Sequence, residues 1–120
     1  MNEKVGVKIT SEENAVIINF TSSSISDTEG IISVAEQIKE FIERHRPEKV
    51  VFDFEGVKFF SSQLLGMLLN IRAELKTYNG EVVISAINPQ LHRVFRITNL
   101  DKVFKFFPDK KGAVTMASTD

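Results

Sequence analysis

Two adjacent hydroxyls, Ser61 and Ser62, are the side chains best placed for chemistry. They follow the run Val50-Val51-Phe52-Asp53-Phe54 and the short segment from Glu55 to Phe60, and they precede the apolar stretch Leu64 to Leu69. A hydroxyl where a strand gives way to a helix usually caps that helix, because its oxygen accepts from an orphan backbone N–H. As a nucleophile it would need a base within hydrogen-bond reach and a third group to orient the base. The run Phe60-Ser61-Ser62-Gln63-Leu64 lacks both glycines of a Gly-x-Ser-x-Gly elbow, which counts against catalysis.

The remaining chemistry-bearing residues give weaker signals. His45 and His92 are far apart, form no i, i+4 pair and have no cysteine to join them, so a metal site is a poor fit. His45 reads as a polar residue in a last helical turn, and His92 as a solvated helix residue. Asp53 and Glu55 form a carboxylate pair near the C-terminal end of a strand, where α/β sheets often place ligands; such residues more often cap loops or face water. No Gly-x-Gly-x-x-Gly or Walker loop supports a nucleotide site. Ten Phe against one Tyr and no Trp read as core filling, since most lie in runs with strand or helix patterning. An enzyme is not expected, nor a cofactor.

Composition narrows the class further. At 120 residues the chain forms one domain able to bury roughly two-thirds of its unfolded surface without staples. Fifteen basic against sixteen acidic side chains recommend neither a nucleic-acid backbone nor an anionic membrane. Without cysteine there is no disulfide, and Met1 to Val5 lacks the apolar core of a signal peptide. The stretch Leu64 to Leu69, broken by Gly66, is too short to insert into a bilayer. A soluble cytoplasmic protein is the expectation.

The elements that position the serines follow from the hydrophobic pattern. Val5 to Ile9 and Ala15 to Phe20 read as a hairpin, and Ser22-Ser23-Ser24 as a loop. Ser26 to Glu29 has the form of a capping box, with Ser26 as N-cap. The helix it opens carries Ile31, Val34, Ala35, Ile38, Phe41 and Ile42 on one stripe and stops before Pro47. Lys49 to Phe54 is apolar enough for a strand covered on both faces. A second helix runs from about Ser62 to Tyr78 and ends at Asn79-Gly80. Val82 to Ala86 is a central strand, and Asn88-Pro89 opens a third helix with Leu91, Val94, Phe95 and Ile97 apolar. Val103 to Phe107 reads as a last strand, followed by a short helix over residues 109–116. One domain over residues 1–116 with a frayed tail at 117–120 is expected. Strands joined through helices pair in parallel, so the fold class is α/β: a mixed sheet of about five strands with helices packed against it.

On the second helix, Leu64, Leu68, Ile71 and Leu75 share one face, with Leu65 and Leu69 to one side. Ser62, Gly66, Asn70, Ala73 and Thr77 share the opposite side, with Gln63 beside them and Met67 at the border. Such a line of small residues suits either close approach by another protein's backbone or a bare surface.

The segment from Val50 to Gly66 resembles the signature of the STAS domain, the family of bacterial anti-sigma-factor antagonists and sulfate-transporter tails. There a strand ending Asp-aliphatic-x-x-Val leads to Asp-Ser-Ser/Thr-Gly-Leu-Gly, whose first serine is a phosphorylation switch; on this chain that serine is Ser62. Leu65 and Gly66 fit the pattern, while Ser61, Gln63 and Leu64 replace the family's acidic residue, Ser/Thr and Gly. The stretch Ala86 to Pro89, then Val94 to Phe104, resembles the family's closing pattern, with Asn99 in place of Gly.

The resemblance implies a partner-switching regulator whose docking face comprises Ser61, Ser62, Gln63, Gly66, Met67 and Asn70, controlled by phosphorylation of Ser62. Its implied partners are an anti-sigma-type serine kinase, or a related regulatory protein, and a serine phosphatase. A scaffold subunit that binds a fixed partner without phosphorylation is the alternative, or a small-ligand or nucleotide-binding domain on the same fold.

Overall fold

The computed structural model describes residues 6–115. Strands β1 (Val7–Glu12) and β2 (Ala15–Phe20) form the expected antiparallel hairpin. From β2 onward the sheet is parallel, in the order β1-β2-β4-β6-β7, with β4 at Lys49–Asp53, β6 at Glu81–Ser85 and β7 at Lys105–Phe107. Every residue of β4 is buried, as its nearly unbroken apolar run requires of a strand covered on both faces. Over the described residues, a mixed five-stranded sheet carries four helices.

Alternation along the strands divides the core in two. Val16, Ile18, Phe20, Val50, Phe52, Val82 and Ile84 meet helices α1 (Thr28–His45), α2 (Ser62–Lys76) and α3 (Pro89–Ile97) in the larger cluster. Ile17, Val51 and Val83 point to the other face, where Ala113 of α4 (Lys110–Thr115) covers them. Lys49 is buried, and its ammonium, 3.9 Å from Glu81, donates to the Ala113 carbonyl at 2.8 Å and so ties α4 to the sheet.

Several expectations need correction. Asp27, not Ser26, caps α1: its carboxylate accepts from the Gly30 N–H at 2.9 Å, the same capping interaction one residue further on. Ser24 leaves the serine loop, because Ser24–Ile25 (β3) pairs in parallel with Phe59–Phe60 (β5). Val103 and Phe104 lie outside β7, since a 3₁₀ turn over Leu100–Lys102 occupies the approach to that strand. Ile97, one of the apolar positions read for α3, is 72 % exposed; Leu91 and Phe95 carry the packing. His92 is half-buried, its ring edge-on to Phe106 with centroids 4.4 Å apart. Residues 116–120, including the expected tail, lie outside the described residues.

Candidate functional site

Asp53, the last residue of β4, is 1 % exposed. Its carboxylate accepts from the Ser85 hydroxyl at 2.8 Å and from the Asn19 amide at 2.7 Å, so three neighbouring strands are clamped at their C-terminal ends. Asp53 is thus neither a loop cap nor solvated, while Glu55 is exposed. The chain then turns tightly, with the Val57 N–H donating to the Phe54 carbonyl at 2.9 Å and Gly56 at φ +83°, a backbone position that favours glycine.

The segment leading to the serines is fastened on three sides. The Lys58 and Phe59 N–H groups both donate to the Ser23 carbonyl, and the Ser61 N–H to that of Ile25 at 3.0 Å. The Asn88 side-chain amide donates to the Val57 carbonyl at 3.1 Å while its oxygen caps α3 through the Leu91 N–H. Phe60 turns inward and meets both Phe54 and Phe95 edge-on at 5.9 Å. Phe59 alternates outward and is 54 % exposed. Ser62 therefore starts a helix whose entry is held by backbone pairing, the Asn88 amide and an aromatic cluster.

Ser61 occupies the N-cap position of α2 but its hydroxyl caps nothing; it is buried without a hydrogen-bond partner among the described residues. The first turn of α2 contains no acidic residue either. Ser62 is exposed, as are Gly66 and Asn70, and Gln63 is half-buried. A Cβ added at Gly66 would meet nothing within 4 Å, so this part of the helix faces open space. Met67, expected at the border of that face, is 5 % exposed and belongs to the core. Leu64 is fully buried with Leu68, Ile71 and Leu75, so it lies beneath Ser62 instead of beside it. Leu69 is 37 % exposed. Ser62, Gln63, Gly66 and Asn70 thus share one accessible side of the N-terminal half of α2, with Ser61 recessed at its edge. Phe59 was not among the residues the sequence suggested; its one signal was the alternation of the Phe59-Phe60 pair.

The STAS domain family model matches residues 6–113. The chain belongs to the STAS domain family. It is 27 % identical over 82 residues to an anti-sigma F factor antagonist of Paenibacillus polymyxa, an alignment spanning 68 % of this chain and 70 % of that protein. The fold of this STAS domain matches the anti-sigma factor antagonist SpoIIAA in its unphosphorylated form, with a TM-score of 0.80 and 17 % identity over 91 % of this chain and 93 % of that one. It also matches the Bacillus cell fate determinant SpoIIAA in its phosphorylated form, with a TM-score of 0.71 and 17 % identity over 91 % and 96 % of the two chains. An anti-sigma-factor-antagonist-like STAS fold is what these likenesses establish.

Among the described residues, no helix is long and apolar enough to cross a membrane. Nor do three His, Asp or Glu side chains converge as a metal site would require.

Proposed function

We propose that this STAS domain is a partner-switching regulator of the anti-sigma-factor-antagonist type, whose docking face is controlled by phosphorylation of Ser62. The observation that carries the reading is the position of Ser62. It is an exposed hydroxyl at the first residue of a 15-residue helix, where the family pattern has its phosphorylated serine. A likeness to one fold solved in both unphosphorylated and phosphorylated forms supports it.

The mechanism is binding gated by charge. Unmodified, the face made by Ser61, Ser62, Gln63, Gly66 and Asn70 docks a regulatory protein, an anti-sigma-type kinase that uses its own ATP. Phosphorylation adds about −1.5 to −2 charges in the middle of that contact. Helix α2 tolerates the anion, because its free N–H groups and dipole favour negative charge and no carboxylate in its first turn opposes it. The domain stays folded while the complex weakens, and a serine phosphatase resets it. Each ~1.4 kcal/mol of lost contact energy is tenfold in affinity. The role is binding, not catalysis, it needs no cofactor or membrane insertion, and it belongs in the cytoplasm with the kinase.

A scaffold that binds one fixed partner without modification is the competing reading, favoured by Ser61, Gln63 and Leu64 at positions where the family pattern differs. Incubation with host lysate and ATP followed by intact-mass and site mapping separates the two. One phosphoryl group on Ser62 supports the switch, and an unmodified chain supports the scaffold.

A further inference from the structure

Helix α3 buries Leu91 and Phe95 and turns Pro89, Gln90, Arg93, Arg96 and Ile97 to solvent. An open groove of about 500 Å³ runs along Pro89, Gln90, Arg93 and Arg96. No acidic residue occurs between Glu81 and Asp101, so no carboxylate on the helix itself can neutralise the two guanidinium groups. Among the described residues neither makes a hydrogen bond or an ion pair. Ile97, one turn beyond Arg93 on the same stripe, is 72 % exposed, more than any other large apolar side chain described.

We propose that this side of α3 is a second binding surface, which takes an acidic segment of a partner protein carrying an aliphatic side chain beside its carboxylates. Arginine suits the role because its planar fork pairs carboxylates bidentately and is weakly hydrated, so it loses little on being covered. Arg93 and Arg96 lie three residues apart on a helix, which puts their Cβ atoms roughly 5–6 Å from each other, a spacing that carboxylates on neighbouring turns or alternate strand positions match. Ile97 selects among anions: a free phosphate has no group to cover it. An anionic membrane is disfavoured by number, since juxtamembrane recognition usually draws on about four to eight basic residues. The surface is independent of phosphorylation at Ser62. Asn88, which caps α3 and holds the Val57 carbonyl, sets the start of the groove beside the loop that leads to Ser62, so one partner can span both.

The test is a titration of the ¹⁵N-labelled full chain with a short blocked peptide of glutamates interrupted by leucines, at low and at physiological salt. The amide shifts are expected to centre on residues 89–98. Replacing both arginines, Arg93→Ala with Arg96→Ala, is expected to weaken binding about tenfold, equivalent to ~1.4 kcal/mol, without altering the melting temperature. Arg93→Lys with Arg96→Lys should retain part of the affinity. Ile97→Ser should lower it several-fold at both salt concentrations, and Ser62→Asp should leave it unchanged. Shifts centred elsewhere, for example on Lys110 and Lys111, would overturn the proposal. So would equal displacement by inorganic phosphate, which would make the groove a simple anion site. Tighter binding to phosphatidylserine vesicles than to the peptide, lost in the arginine double variant, would overturn it in favour of a membrane.

Discussion

Asp53 and Ser85 stand opposite each other in register on adjacent parallel strands, and the Ser85 hydroxyl donates to Asp53 Oδ1 at 2.8 Å. With Asn19 on the other side, the carboxylate holds three strand ends from which the loop to Ser62 departs. Asp53→Ala strands two donors, those of the buried Ser85 and the largely enclosed Asn19, and is expected to cost roughly 3 kcal/mol, since a hydrogen bond to a charged group contributes about 1.5–3. Urea unfolding measures it. A loss under about 1 kcal/mol would mean the network is incidental.

Leu64 stands where the family pattern has glycine, and its burial makes it part of the core beneath the proposed docking face. Leu64→Gly should destabilise by roughly 3–6 kcal/mol, combining a cavity with glycine's helix penalty. It should leave Ser62 no better a kinase substrate. A variant that melts like the wild type yet is phosphorylated much faster would identify Leu64 as a steric block.

Gly66 separates stability from function. With open space around its Cα, Gly66→Ala should stabilise the exposed helix by about 0.8–1 kcal/mol. The added methyl should also hold a partner's backbone away and weaken docking. Raised stability with unchanged partner affinity would remove this helix face from the interface.

Much of this arrangement was legible from local signals. Pro47, Asn79-Gly80 and Asn88-Pro89 punctuate the helices where the backbone must break, and the apolar run of β4 announces a strand buried on both faces. What escaped depends on partners distant in sequence. A two-residue strand such as Ser24–Ile25 has no periodicity to detect and exists because Phe59–Phe60 lies alongside. Asp53 looked like a loop or surface carboxylate, because only strand register brings Asn19 and Ser85 to it. Asp27 and Ser26 are both good caps, and the chain's path after β3 chooses between them. Met67 sits at a helical angle that either face accepts, and the packing of α2 decides for the core.

Tyr78 gives the fold a pH signature. Its hydroxyl donates to the Pro47 carbonyl at 2.9 Å, and Arg46 lies over its ring, 4.4 Å from the centroid. Burial raises its pKa above the ordinary 10.0 and outweighs the lowering by Arg46. The folded state therefore keeps the proton longer than the unfolded one. This contribution is complete below pH 10 and is lost as the pH rises through the folded value. Melting curves taken across that range should fall more steeply for the wild type than for Tyr78→Phe; parallel curves would contradict the burial.

The central claim is that charge at Ser62 releases a partner from an otherwise unchanged domain. It is tested by the dissociation constant of the partner recovered with the wild-type protein, measured for wild type, Ser62→Ala and Ser62→Asp. Ser62→Ala should bind like the wild type and ignore added kinase and ATP. Ser62→Asp should bind at least about tenfold more weakly, a loss of ~1.4 kcal/mol or more, while staying as stable as the wild type to within about 1 kcal/mol, since a carboxylate in the first turn of a helix is favoured by the dipole. A folded Ser62→Asp protein that holds the partner as tightly as wild type would contradict the charge gate.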